Sequence, residues 1–298
     1  MDIGEKVKIE LQKDVDDECP FKVPDPPKAK VQKENIAKDD LPRVARIQAN
    51  NGGTLGKNLT AASNGAAGTV NDFHAAPKAK EQPARDTKRN NGGRVKVKGD
   101  DNDYPFGVAA HHLIPGEASL AKSMLYKNYM KKNGKISTAS GRKYTLRENI
   151  GYNVNGAHNG LWMPGNYAIR AKTSPKKGTS WGKLPASYDQ WCFEYMRACV
   201  KKTSRQFHDS HPTYSEEVLG VLEKLQRVLL SHHDTCTEDC KNKKKLAPPY
   251  VLKDRLYGLS KYLSGKLRKV SRKKWKSPFY TSERFFDDMV KFGMLVDD

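Results

Sequence analysis

Apolar positions are spread very unevenly along this chain. Near the start only Lys6–Leu11 alternates apolar and polar residues, a period that suits one strand. Pro20, Pro24, Pro26 and Pro27 break any early helix. Gln48–Gly93 is rich in Asn, Gly, Ala and Lys and almost without aliphatic periodicity, which predicts a linker. Within it, Asn51–Asn58 superficially suggests a phosphate loop, but the first Gly is misplaced and no Ser or Thr follows Lys57. Order is expected near Tyr104. Gly107–Pro115 is a short apolar run ended by a proline, a strand that stops in a loop. Glu117–Lys131 predicts a helix, and Asn159–Pro164, bounded by Gly160 and Pro164, a second strand. Ala186–Lys202 carries apolar residues at helical spacing. His211–Ser231 is a strong amphipathic helix, with Pro212 in its first turn and Glu216 and Glu217 at the positive end of its dipole. Leu252, Leu256, Leu259 and Leu263 recur at three- and four-residue steps and predict a further amphipathic helix or pair of helices.

These elements suggest a flexible N-terminal region at 1–100, a folded domain at 101–231 and a basic helical extension at 232–298. Hydrophobic residues make up 37% of the chain, below the about 45–50% of an ordinary globular domain, in keeping with a part that buries little. Charge narrows the partners. Lys and Arg number 54 against 34 Asp and Glu, a net charge of +20, which is self-repelling unless a polyanion is bound. Nucleic acid is the first candidate, an anionic membrane surface the second and an acidic protein the third. There is no run of 18 apolar residues to span a membrane. The N-terminus has neither a basic lead-in nor an apolar core, so no signal peptide is expected. Five cysteines, an odd number in a long chain, fit a reducing compartment better than a disulfide framework.

Chemistry concentrates in three places. Ala110-His111-His112-Leu113-Ile114-Pro115 puts adjacent histidines at a strand end, where their side chains diverge and one can face a metal while the other faces a water. Asn159 follows in the segment His158–Pro164; His158 itself reads as solvated. Further on, His208 and His211, three apart at a helix start, can converge on one ion. Phosphodiester hydrolysis needs a base for water, a polarised phosphoryl group and a stabilised leaving alkoxide. Histidines on a divalent ion serve the last two needs, and a neutral histidine the first.

AHHLIP, then IGYNVNGAHNGLWMP, then HDSHPTY, in that order, resembles the AHH nucleases of the HNH and endonuclease VII superfamily, common as bacterial polymorphic toxins. The resemblance covers Ala110 to Tyr214. It implies an α+β fold with a ββα-metal core inside a mostly helical domain. It further implies that His111 ligates the metal, that His112 is the general base, that Asn159 orients the loop bearing the base, and that His211 from the helix and His208 are further ligands. The stretch from Asn159 to His208 is longer than in the shortest members and holds an extra predicted helix. The implied cofactor is one divalent ion: Mg²⁺, Zn²⁺, Mn²⁺ or Ni²⁺.

Two further clusters stand outside that pattern. His232, His233, Cys236 and Cys240 lie close enough to hold a structural zinc ion, against the simpler reading of free thiols in a polar loop. Cys192 and Cys199, seven apart, read mainly as core. Lys241–Lys276 has 14 Lys or Arg and one Asp, and Arg272, Lys273, Lys274 and Trp275 combine charge with an aromatic as a sequence-independent nucleic-acid surface would. The expectation is a DNase effector, made in the bacterial cytoplasm and delivered into rival cells without a signal peptide, for example by type VI secretion. An acidic immunity protein and a secretion adaptor would be its partners. The alternatives are a ribonuclease on the same scaffold, a non-catalytic basic nucleic-acid-binding protein with a zinc module, and a domestic restriction or phage-processing nuclease.

Overall fold

A computed structural model describes residues 51–63, 91–138, 141–232, 244–249, 251–268 and 279–292. The fold is mixed α+β. Strands β1 (Asn91–Lys96), β2 (Asp103–His112) and β5 (Gly160–Gly165) form one antiparallel sheet in the order β1-β2-β5. Strands β3 (Lys135–Ser137), β4 (Lys143–Leu146) and β6 (Lys245–Leu246) form a second, with β6 parallel to β4. Among the described residues the α-helices are α1 (Gly52–Ser63), α2 (Asp189–Thr203), α3 (Pro212–His232), α4 (Val251–Arg268) and α5 (Glu283–Lys291). No helix among the described residues is long and apolar enough to cross a membrane.

The first sheet divides the interior into two cores because successive strand residues face opposite sides. Tyr104, Phe106, Val108 and Trp162 pack on one side with α1, α2 and α5. Leu161 and Met163 pack on the other with α3, α4 and the second sheet. Cys192 and Cys199 are buried free thiols of the first core, as their spacing suggested. Leu252, Leu256, Leu259, Leu263 and Leu267 bury α4's apolar stripe in the second core. At about 1.5–3 kcal/mol for each buried leucine, that stripe docks the basic helix firmly against α3 and the second sheet.

Three expectations need correction. Gln48–Gly93 is not a linker throughout: it contains α1 and the start of β1, and order does not wait for Tyr104. Helix α1 escapes a periodicity search because, among its described side chains, the buried aliphatics are Leu55 and Leu59, set among Gly, Thr and Asn. Asn51 caps it, its Oδ1 accepting Thr54 N–H at 2.9 Å. Both leucines settle over Gly160, where an added Cβ would lie 2.8–2.9 Å from their side chains. Second, Glu117–Lys131 is not a regular helix but a tight turn at Leu120–Lys122 and a wide one at Tyr126–Met130. Ser123 Oγ donates to Leu120 O at 2.7 Å and accepts Tyr126 N–H at 3.1 Å, taking over bonds of the α ladder. Third, His158 is not solvated; it is half-buried, with its ring 5.1 Å from Tyr152 and 4.5 Å from Tyr257.

Candidate active site

Strand β2 ends at the histidine pair. His111 lies opposite Leu161 and His112 opposite Gly160, so the two side chains leave the strand on opposite faces. His111 is buried on the α3 side, 5.1 Å ring to ring from Tyr214. His112 is on the α1 side.

After β5 the chain leaves for α2, which packs in the other core, and then returns. His208 N–H donates to Pro164 O at 2.7 Å, and His208 bridges Gly165 at the end of β5. The extra helix therefore does not part Asn159 from His208. His211 stands just before α3 rather than within it, and its carbonyl accepts the Ser215 N–H at 3.4 Å. The rings of His111, His208 and His211 form a near-equilateral triangle, with centroids 5.0, 5.0 and 5.1 Å apart. One nitrogen from each lies within 4.8 Å of the others, so the cluster can hold a metal ion. His111 Nε2 is buried without a hydrogen-bond partner, which a metal would supply. The Tyr167 hydroxyl meets His208 Nδ1 at 2.6 Å, leaving Nε2 as that ring's open donor.

Electrostatics keep these rings uncharged. Burial pushes the His111 pKa far down, with His208, His211 and His112 adding to the effect. Burial and His211 push His208 down to about 3. Burial also lowers His211 and His112, opposed at His112 by its Asn155 hydrogen bond and Glu117. Neutral imidazoles are the form that binds a metal.

The loop bearing two of the triangle's histidines is tied from the C-terminal side. Asp209 N–H donates to Thr281 O at 2.8 Å, Thr281 Oγ1 to Phe207 O at 2.8 Å, and Glu283 N–H to Ser210 O at 3.1 Å. The Glu283 carboxylate accepts Thr213 N–H at 3.2 Å and Thr213 Oγ1–H at 2.8 Å, capping α3.

Asn159 is fully buried. Its Oδ1 accepts Ile114 N–H at 2.8 Å and Ser260 Oγ–H at 3.2 Å. Its Nδ2 donates to Ile114 O and Val154 O, both at 2.9 Å. It thus fixes the chain just past the histidine pair. His112 Nε2 lies 2.8 Å from Asn155 Oδ1. That oxygen also accepts Asn51 N–H at 3.1 Å, so it is an acceptor, and His112 must carry its proton on Nε2. Its Nδ1 is then the nitrogen with a lone pair.

Asn155, Tyr167, Ser260, Thr281 and Glu283 were not singled out from sequence. Asn155 lies four residues before Asn159 in the motif segment, the one available signal; the others meet the site only through long-range folding. Among the remaining sequence candidates, His232 closes α3, with its side chain outside the described residues. His233, Cys236, Cys240, Arg272, Lys273, Lys274 and Trp275 also lie outside them.

No curated protein and no solved structure matches this chain. A family model does: AHH, a nuclease family of the HNH/ENDO VII superfamily with conserved AHH, over residues 94–247. That span runs from β1 to β6 and takes in the histidine pair, Asn159 and the returning His208–His211 loop, and with just over half of its length matched, the chain belongs to the AHH family of nucleases.

Proposed function

We propose that the chain hydrolyses DNA phosphodiesters without sequence preference, at a metal-assisted centre on the end of β2. The observation that carries this reading is the convergence of His111, His208 and His211 next to His112, whose Nδ1 keeps its lone pair. Strands β2 and β5 with α3 are read as the ββα-metal core. His111, His208 and His211 would hold one divalent ion. Three neutral imidazoles suit Zn²⁺ or Ni²⁺ better than Mg²⁺, which prefers oxygen donors. When bound, the ion supplies positive charge to the phosphoryl oxygens and the leaving alkoxide.

His112 takes a proton from water through Nδ1. The water oxygen bonds to phosphorus as the bond to the leaving sugar oxygen breaks. Asn155 Oδ1 holds the Nε2–H throughout and steadies the imidazolium that forms. Burial lowers the His112 pKa, so the base is neutral and ready at pH 7. Asn159 keeps Ile114, and with it the strand end, in register. The role extends to an antibacterial toxin held in check by an acidic inhibitor. The support for that is the resemblance to polymorphic toxins and the net charge of +20.

The test is incubation of purified protein with plasmid DNA and with RNA, after EDTA treatment and after return of Zn²⁺, Ni²⁺, Mn²⁺ or Mg²⁺. Metal-dependent nicking of plasmid is expected. His112→Ala should cut ~10²–10⁴-fold more slowly while binding metal like the parent. Cleavage of RNA alone would overturn the DNA reading, and cleavage indifferent to EDTA the metal-assisted one.

A further inference from the structure

From Asn166 to Tyr188, between β5 and α2, the chain carries no acidic residue. It carries Arg170, Lys172, Lys176, Lys177 and Lys183, all exposed. None of the five pairs with a carboxylate among the described residues. A run of like charges ordinarily repels itself into an open, solvated chain. This one is folded back on itself. Ile169 and Trp181 anchor it in the core, and Trp181 N–H returns to Ile169 O at 3.3 Å. Gly178 N–H donates to Ala171 O at 2.8 Å, and Arg170 N–H to Thr173 Oγ1 at 2.9 Å. A fixed loop of single-sign charge calls for a counter-charge from outside the chain.

Its position says which. Tyr167 begins the loop, is 43% exposed, and places its hydroxyl 2.6 Å from His208 Nδ1. Arg170 Nε–H donates to the Tyr167 carbonyl at 3.3 Å. The cations therefore start one residue contact away from the histidine triangle. A polyanion that reaches the Arg170 end of the loop meets Tyr167 and, through it, His208 of the triangle.

We propose that the loop Arg170–Lys183 is the surface on which the DNA backbone lies beside the histidine centre, with Tyr167 joining the two. The proposal rests on the nuclease reading for its substrate. The contacts are ionic and made to phosphates, so they are blind to sequence. Lys172, Lys176, Lys177 and Lys183 each release counterions on binding and so each add to the salt dependence.

The experiment measures binding of a fluorescently labelled duplex by anisotropy, on the full chain carrying His112→Ala to prevent cleavage, between about 50 and 200 mM salt. Two quadruple variants remove equal charge. The loop variant is Lys172→Gln, Lys176→Gln, Lys177→Gln and Lys183→Gln. The control is Lys127→Gln, Lys132→Gln, Lys135→Gln and Lys143→Gln, exposed positions on or before the second sheet. The loop variant should flatten the log–log salt slope by about 0.9 per lost phosphate contact, up to about 3.6 for four, and bind at least tenfold more weakly at low salt. The control should keep the parent's slope. A loop variant with the parent's slope overturns the proposal, as does an equal loss in both variants. The two readings fail separately. If the chain without His112→Ala never cuts DNA yet binds it through a loop-dependent slope, the nuclease reading falls and the surface stands. If it cuts DNA and the loop variant binds like the parent, the surface falls and the nuclease stands.

Discussion

Asn159 offers a sharp test, because a substitution that changes only one side-chain atom should do as much harm as deleting the side chain. Its amide makes four hydrogen bonds in a fully buried position, two accepted at Oδ1 and two donated from Nδ2. Asn159→Ala strands the Ile114 N–H and O, the Val154 O and the Ser260 hydroxyl. Each stranded buried group costs about 1–3 kcal/mol, and relaxation recovers part, so a net loss of about 3–5 kcal/mol is expected. At about 2–4 °C of Tm per kcal/mol for a domain of this size, the melting temperature should fall by roughly 6–20 °C. Asn159→Asp keeps the Oδ1 acceptor but turns the donor nitrogen into an oxygen facing two carbonyls at 2.9 Å. At pH 7 it should therefore be no more stable than Asn159→Ala. At pH 4 a protonated Asp regains one donor, and its deficit against the parent at the same pH should shrink. Calorimetric melting of the three proteins at both pH values is the assay. An Asn159→Asp protein melting within about 2 °C of the parent at pH 7 would refute the hydrogen-bond reasoning.

The buried histidines predict acid sensitivity. Their folded pKa values are lowered, so the stability they permit is complete above the unfolded value of about 6.5 and is lost as pH falls toward the folded value, which for His208 is about 3. Urea midpoints should therefore fall as the pH drops from 7.5 to 5, with the loss setting in near about 6.5; a flat profile contradicts this. Asn155→Ala should slow cleavage roughly 10- to 100-fold through a misoriented base yet leave metal titration unchanged; weaker metal binding would place Asn155 in the ligand shell instead. Glu283→Ala removes the carboxylate from the first turn of α3 and should cost about 1–2 kcal/mol in thermal melts; an unchanged Tm would show that the contacts to Thr213 contribute nothing.

The parts of the fold that the sequence announced share one property: each carries its own repeating pattern. Strands β2 and β5 and helices α2, α3 and α4 are long enough, or apolar enough, for a period to show. The parts it hid are held by few buried residues each. Helix α1 rests on Leu55 and Leu59. Strand β3 buries Ile136 alone within its lysine-rich surroundings, and β4 buries Tyr144 and Leu146. Strand β6 contributes two residues. The site divides in the same way. His111, His112, Asn159, His208 and His211 are chemically distinctive residues in compact motifs, so they could be read in advance. Their partners could not. Asn155, Ser260 and Glu283 are ordinary polar residues whose roles come from packing across 43, 101 and 70 positions.

Those partners bear on how large the working unit is. The family match ends at residues 94 and 247, yet three supports of the site come from beyond it. Asn51 and Asn58 hold Asn155, through its Oδ1 at 3.1 Å and its carbonyl at 2.8 Å, and Asn155 in turn holds His112. Ser260 of α4 reaches Asn159. Thr281 and Glu283 secure the loop of His208 and His211. Strand β2 ends at His112, opposite the first residue of β5, and beyond it the pairing is carried on by Leu113 N–H to Asn159 O at 2.9 Å. A catalytic centre needs its groups held to within about half an ångström. Here helices packed on opposite faces of the sheet hold those groups, one bearing on His112 through Asn155 and others on Asn159 and on the loop of His208 and His211. The flanking helices are accordingly part of the centre's construction rather than appendages to it.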